Sequence, residues 1–526
     1  MLLRGEHCVG GSWESAPGAT HHGADPRTGV ALEPAYTDAP AALVAHACEL
    51  AAAAQPEYER ISPARRAAFL RAVGEEIVAL GDTLLARTAA ETGLPAARLQ
   101  SERARTVWQL EHCAQTVEEG SWVDARIDRA QPERTPLPRV DLRRMAVPLG
   151  PVAVFGSSNF PFAYSVAGGD TASALAAGCT VVVKAHPAHP GTSELVARAV
   201  HAAVLRCGVP AGVFSMVHGR SNEVGAALVR HPAIAAVGFT GSYAGGRALF
   251  DIASQRPQPV PVYAEMGSVN PVFVLPGAAA VRGAAVAEKL AASAMLGVGQ
   301  FCTSPGVVVL PADESGGAMA RDLVARIAAA EQGTMVHCSI AQSHARQLAA
   351  ARAVEGVQVL AEARSPGTAA GAGATVLGCS LTTWLGNEAV RHEIFGPATV
   401  VLHCASAEEY AAVARSLDGQ LTATVHAEPS DEAVAAALMA VLVHRAGRLV
   451  WNGVPTGVEV THAMQHGGPW PASSDPRSTS VGSAALSRWV RPVAWQDVPA
   501  ALLPEELRDG NPRGIWRLVE GRLTRD

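Results

Sequence analysis

Val152-Ala153-Val154-Phe155 and Thr180-Val181-Val182-Val183-Lys184 read as two short β-strands, with the helical stretch Ser165–Ala177 between them. Neither run alternates apolar with polar residues, so each predicts a strand with protein on both faces. That is the environment of a parallel sheet covered by helices. Working outward, β-rich runs recur at Val213–Val217, Ala235–Phe239 and Pro271–Leu275, and a further helical stretch spans Thr192–Arg206. Strands alternating with helices in this way predict an α/β unit. A second alternating region starts near Gly306-Val-Val-Val-Leu310 and runs through Ala398–His403, Thr422–His426 and Arg448–Trp451. The chain has 526 residues, too many for one hydrophobic core, which agrees with two or three domains.

From about Ala41 to Gly120 the pattern is helical. Ser62-Pro63 reads as a helix cap followed by proline at the first helical position. Phe69, Leu70, Val73, Ile77 and Leu80 then fall on one helical face. A polar, Pro- and Arg-rich segment from about Ala130 to Val147 predicts an extended hairpin. Gly367–Thr375 reads as a loop. The closing stretch Gly514–Thr524 alternates apolar with charged residues and predicts a strand that pairs with the hairpin or with another subunit.

Composition narrows the function classes. Apolar residues make up 48% and charged residues 17%, as in a well-buried globular protein rather than a disordered one. The 42 basic and 48 acidic residues give a net charge of -6 without a basic cluster, which argues against nucleic acid as a partner. No apolar run reaches the ~18 residues that span a bilayer, and the N-terminus has no apolar core of a signal peptide. No membrane partner is therefore expected, and a cytoplasmic location is. Nine cysteines occur singly, with no CxxC pair, so neither a disulfide framework nor a zinc site is expected. His186 and His189 lie among prolines in an extended turn, and no resident metal is expected there either.

Cys302 stands apart. It follows an Ala-rich helical stretch, about Ala278–Leu296, on the glycine-rich segment Gly297–Gly306. A cysteine so placed is presented on a loop rather than packed in a core. Glu265 in Glu-Met-Gly-Ser and Asn159 in Ser-Ser-Asn-Phe-Pro add a base and an amide donor. A nucleophile, a base and an oxyanion donor are the parts of covalent catalysis. Gly238, Gly241, Ser242 and Gly246 lie where a strand meets a helix, and glycines there let backbone N–H groups approach a pyrophosphate.

Taken together and in order, Phe155-Gly-Ser-Ser-Asn159-Phe-Pro161, Val181-Val-Val-Lys184, Gly238-Phe-Thr-Gly-Ser-Tyr-Ala-Gly-Gly246, Glu265-Met-Gly, Gln300-Phe-Cys302-Thr, Glu393-Ile-Phe-Gly-Pro397 and Asn452-Gly453 resemble the aldehyde dehydrogenase superfamily over nearly the whole chain. The resemblance implies an α/β fold with a Rossmann-like cofactor domain (residues 1–129 and 148–275), a catalytic domain (276–485) and a small β oligomerisation arm (130–147 and 486–526). It implies a homodimer or homotetramer. In chemistry it implies attack of the Cys302 thiolate on an aldehyde, hydride transfer from the thiohemiacetal to a nicotinamide, and hydrolysis of the resulting thioester. Glu265 would activate the water and Asn159 would hold the oxyanion. A CoA-acylating variant has no need of Glu265 for that water, so its presence favours hydrolysis.

The same resemblance places the adenosine ribose at Lys184 and the nicotinamide ribose at Glu393, with Phe395 packing nearby. Pro187 stands where many NAD-preferring relatives carry a glutamate, so nothing repels a 2′-phosphate, and Lys184 with His186 would attract it. NADP is the expected cofactor, with NAD also usable. Ala163–Gly178, Lys184–Gly191, Asn452–Val460 and His466–Asp475 resemble the 2,5-dioxovalerate (α-ketoglutaric semialdehyde) dehydrogenases, with NADP-dependent fatty aldehyde dehydrogenase as the alternative. Trp470 and Ser473 depart from that pattern, standing where a smaller aromatic and a threonine are expected. A substrate carboxylate needs cationic or hydrogen-bonding groups, and the candidates are His462, Ser473, Ser474 and Arg477, with Phe160 on the substrate side.

Overall fold

Val152–Phe155, Val181–Lys184, Phe214–Val217, Ala236–Thr240 and Val262–Glu265 form the parallel part of a seven-stranded sheet in the computed structural model, which describes residues 3–526. Across the sheet the order is Val262–Glu265, Ala236–Thr240, Val152–Phe155, Val181–Lys184, Phe214–Val217, His7–Val9, Ser12–Glu14. The last two strands run antiparallel. Val181, Val182 and Val183 are at most 1% exposed, and burying each such side chain stabilises the fold by about 1.5–3 kcal/mol. The winding reverses between Val152–Phe155 and Ala236–Thr240, which opens a crevice at the carboxyl ends of these strands.

The second sheet also has seven strands, in the order Gln358–Glu362, Thr375–Gly378, Ala398–Cys404, Val307–Pro311, Val272–Val274, Gln420–His426, Ala446–Trp451. All neighbours are parallel except the outermost Gln358–Glu362. The run Pro271–Leu275, expected to close the first sheet, lies in the middle of the second. After Glu265 the chain crosses between the sheets through Asn270, whose φ of 45° is left-handed. The Oε1 of Gln420 fixes the crossing by accepting from Ser268 Oγ and the Val269 and Asn270 amides. The boundary between the two α/β units therefore falls just after Glu265 instead of at 275. The strand that closes the first sheet, Val262–Glu265, follows Pro257, Pro259 and Pro261, so its sequence reads as a turn.

Four helices, Ala41–Tyr58, Pro63–Ala79, Gly81–Thr92 and Ala96–Glu119, fill the N-terminal helical region. Ser62 caps the second by accepting from the Arg65 amide. Phe69, Leu70, Val73 and Ile77 pack with Val152, Val154, Val181 and Val183 in one core.

The segments expected to form an arm build a five-stranded sheet, ordered Val490–Gln496, Leu142–Pro148, Arg126–Asp128, Arg517–Val519, Arg522–Thr524. Its strand Arg126–Asp128 begins before residue 130, ahead of the expected hairpin. The C-terminal stretch is two strands that turn at Glu520 and Gly521, both at positive φ. It pairs with Arg126–Asp128 of the same chain. Among the described residues, no helix is long and apolar enough to cross a membrane.

Candidate active site

The helix Pro276–Met295 ends one turn before the Cys302 loop. Gly297, Val298 and Gly299 follow in succession at φ 57°, 59° and 65°. A β-branched residue in this left-handed region is strained. A Cβ on Gly299 would lie 2.2 Å from the Gly396 carbonyl oxygen, so only glycine fits there. Side-chain amides then hold the loop. Asn270 Nδ2 donates to the carbonyls of Cys302 (2.8 Å) and Ser304 (2.9 Å), and Asn159 Nδ2 donates to that of Gln300 (2.9 Å). Asn159 itself lies on a segment fixed by the buried Glu102 carboxylate. That carboxylate accepts from the Phe162 and Ala163 amides at 2.9 and 3.0 Å and pairs with Arg98.

Glu265 ends its strand 5% exposed. Its Oε2 accepts from Ser480 Oγ, while Oε1 is buried without a hydrogen-bond partner. Between this oxygen and the thiol stands His466, a residue the sequence reading does not single out. Its Nε2 lies 3.4 Å from Cys302 Sγ and 3.5 Å from Glu265 Oε1. The loop bearing His466 is anchored at its backbone: its amide donates to Thr479 Oγ1 at 2.9 Å, and its carbonyl accepts from the Ser480 amide at 2.8 Å.

Burial controls the charges here. It lifts the Glu265 carboxyl to about 7, against the hydrogen bond from Ser480. Burial, with the nearby Arg105 and Arg448, lowers His466 to about 3, so the imidazole is neutral. Burial and then Glu265 push the Cys302 thiol well above the ordinary thiol range, while Arg105 and Arg448 pull the other way. The resting thiol is protonated, and its use as a nucleophile requires an acceptor for the proton.

At the crevice, Ser242 caps the helix Tyr243–Ser254 by accepting from the Gly245 amide, and its carbonyl accepts from that of Gly246. Gly238 lies in the strand before this turn, and the Gly241 amide donates to the Glu265 carbonyl at 3.0 Å. A Cβ at Gly246 would lie 2.7 Å from Met266 Sδ. Lys184 ends its strand half-buried, and burial draws its ammonium down to about 8. His186 accepts from the Ala188 amide at 3.1 Å, and its ring stacks on His189. Burial first, with neighbouring His189, His337 and Lys184, keeps it neutral. Lys184 is therefore the charged member of the pair expected to attract a 2′-phosphate. Glu393 and Phe395 line one small cavity with Phe301 and Ser304 of the Cys302 loop. Burial lifts the Glu393 carboxyl to about 7.

On the other side of the thiol, Phe160, Tyr164 and Phe301 pack edge to face, with centroids 5.2–5.4 Å apart. Arg105 lies over Phe160 and Tyr164 and donates to Tyr164 Oη at 3.0 Å. Arg448 donates to the carbonyls of Pro455 and Gly457. Neither guanidinium has a carboxylate within ion-pair distance among the described residues. The residues expected to meet a substrate carboxylate are engaged elsewhere. Arg477 is 88% exposed and pairs with Asp475, and Ser474 Oγ bonds the Ala264 amide and Val262 carbonyl. Ser473 Oγ donates to the Asp475 carbonyl, and the exposed His462 meets Ser483. These contacts brace the 461–483 loop, and the cations whose charge acts on the thiol are Arg105 and Arg448.

The sequence matches the Aldehyde dehydrogenase family over residues 13–482. The chain belongs to the aldehyde dehydrogenase family. It is 50% identical over 525 residues to alpha-ketoglutaric semialdehyde dehydrogenase 2 of Azospirillum brasilense, covering 99% of this chain and 100% of that protein. It is 45% identical over 474 residues to alpha-ketoglutaric semialdehyde dehydrogenase of Acinetobacter baylyi, covering 89% of each. The fold is shared with the crystal structure of the aldehyde dehydrogenase KauB from Pseudomonas aeruginosa, with a TM-score of 0.81, 20% identity and coverage of 94% and 97%. This aldehyde dehydrogenase is an aldehyde-oxidising enzyme that uses a nicotinamide cofactor. The crevice fits such a dinucleotide. A helix N-terminus opens beside glycines, a lysine without an ion pair among the described residues ends the adjoining strand, and the Glu393 carboxyl sits against Gly267, whose Cβ would come within 2.5 Å of it.

Proposed function

We propose that the enzyme oxidises the aldehyde group of 2,5-dioxovalerate (α-ketoglutaric semialdehyde) to give 2-oxoglutarate, with NADP preferred over NAD. The observation that carries the substrate is the pair Arg105 and Arg448. Two guanidiniums without carboxylate partners, both close enough to influence the Cys302 thiol, suit an aldehyde with a carboxylate at its far end. The two relatives similar over most of their length, both α-ketoglutaric semialdehyde dehydrogenases, support the same substrate.

In this reading the Cys302 proton passes through His466 to the Glu265 carboxylate, the stronger base of the two, and leaves to solvent before hydrolysis. The thiolate adds to the aldehyde carbon. The developing oxyanion is met by the Asn159 side-chain amide, a kind of donor worth about 3–4 kcal/mol in acyl chemistry. A bound NAD(P) supplies the acceptor for the hydride. Loss of that hydride leaves a thioester on Cys302, and Glu265 draws a proton from the water that cleaves it. Phe160, Tyr164 and Phe301 wall the substrate and keep bulk water from the thioester.

Lys184 at the ribose edge, with Pro187 in place of an acidic residue, supports NADP. So does Arg220, an exposed cation that shares the neighbour His21 with Lys184. The arm, with Leu142, Trp516 and Leu523 exposed, supports assembly into a homodimer or homotetramer. The test is steady-state nicotinamide reduction with 2,5-dioxovalerate and with a long-chain aldehyde, each with NADP and NAD, and Cys302→Ala as the blank. Turnover of dioxovalerate that disappears in the variant is expected. Turnover of the long-chain aldehyde alone overturns the substrate and leaves the mechanism.

A further inference from the structure

We propose that Glu265, Cys302 and His466 also form a site for a borderline-soft divalent cation such as Zn2+, and that its occupancy inhibits the enzyme reversibly. Among the described residues this is the sole His/Cys/acidic cluster with metal-ligand spacing, its three ligand atoms lying within 4.8 Å of one another. Two edges of the triangle are 3.4 Å (Sγ to Nε2) and 3.5 Å (Nε2 to Oε1). A tetrahedral zinc with Zn–S about 2.3 Å and Zn–N and Zn–O about 2.0–2.2 Å requires ligand-to-ligand edges of about 3.3–3.6 Å. Both measured edges fall in that range, and the third, Sγ to Oε1, is at most 4.8 Å, so a small side-chain adjustment closes the triangle on the ion.

A second observation points to the same gap. Glu265 Oε1 is buried and has no hydrogen-bond partner, the cost that a ligand at this position removes. The supporting contacts resemble those of metal ligands. Ser480 holds the other carboxylate oxygen and so orients the carboxylate, and Thr479 and Ser480 hold the backbone of the His466 loop. On binding, the thiol gives its proton to solvent, as does any Glu265 that is protonated. Thiolate and carboxylate then neutralise the cation, and a water completes its fourth position. Arg105 and Arg448 face the cluster and weaken the site, so a chelator should remove the metal. Binding follows from the geometry alone; inhibition rests on Cys302 being the nucleophile of the proposed function.

The test uses the full-length enzyme without added cofactor. Equilibrium dialysis against ZnCl2 should show one zinc per chain that is lost in Cys302→Ala and at least about tenfold weaker in His466→Gln. CoCl2 should give thiolate-to-cobalt charge-transfer absorption that Cys302→Ala abolishes. The far-UV circular dichroism of both variants checks that they remain folded. Zinc should suppress aldehyde oxidation, and EDTA should restore it. Equal zinc content in wild type and Cys302→Ala, or cobalt binding without the thiolate band, overturns the site. Zinc bound with the thiolate band but without loss of activity overturns the inhibition and also the assignment of Cys302 as nucleophile.

Discussion

His466 Nε2 stands 3.4 Å from Cys302 Sγ, close enough for the imidazole to take the thiol proton directly. Burial keeps both groups neutral at rest, so the reactive ion pair forms only when the proton moves. Replacing His466 with Gln should lower kcat/KM by about 10²–10⁴, the usual contribution of a positioned base. It should also slow alkylation of Cys302 by iodoacetamide at neutral pH. Alkylation at the wild-type rate would remove His466 from proton transfer.

Glu265 carries the pH dependence. With its carboxyl at about 7, the basic form accumulates as pH rises through neutrality. The rate of thioester hydrolysis should climb through about pH 7 and level off above it, and Glu265→Gln should flatten this limb. Stability should move the opposite way. The folded value lies above that of an unfolded glutamate, so the contribution of this group is complete below about 4.3 and is lost as pH rises through about 7. Urea denaturation across this range should show a smaller decline in Glu265→Gln than in wild type.

Arg448 should discriminate between substrates by charge. Arg448→Met is expected to raise KM for 2,5-dioxovalerate by about 10–100-fold, the equivalent of one charge-assisted hydrogen bond. KM for an uncharged aldehyde of equal length should change little. Arg477→Ala should leave both unchanged. An equal loss for both aldehydes in Arg448→Met would make the residue structural.

Glu102 is remote from the reacting atoms yet fixes the segment that carries Asn159 and Phe160. Glu102→Ala leaves the Phe162 and Ala163 amides and Arg98 without their acceptor. It should destabilise the protein by about 3–5 kcal/mol, measured as a fall in Tm, and should lower kcat in the fraction that remains folded.

The sequence reading is strongest where backbone geometry and side-chain type act together. Cys302 follows glycines that the left-handed turn requires, Glu265 ends a strand, and the apolar runs of both sheets are buried on both faces. It is weakest at surface-like segments. The strand Gln358–Glu362 is largely exposed, and Val262–Glu265 is disguised by the prolines before it. His466 lies in a loop without periodicity, 164 residues from its thiol partner. The available signal is its place at the head of His466–Asp475, a segment already distinctive in the sequence. Arg105 and Arg448 lie on a helix and a strand, where only the packing of neighbouring elements decides which arginines lack a carboxylate.

The three reacting groups belong to separate pieces of the chain. Glu265 ends the first sheet, Cys302 follows a helix packed on the second, and His466 belongs to a loop whose later residues bond the edge of the first sheet through Ala472 and Ser474. Neither half of the molecule carries a complete site, and the last piece to arrive is more than 400 residues from the N-terminus. On dilution from denaturant, secondary structure should therefore return first, and recovery of turnover should lag behind it, timed by the docking of the two halves.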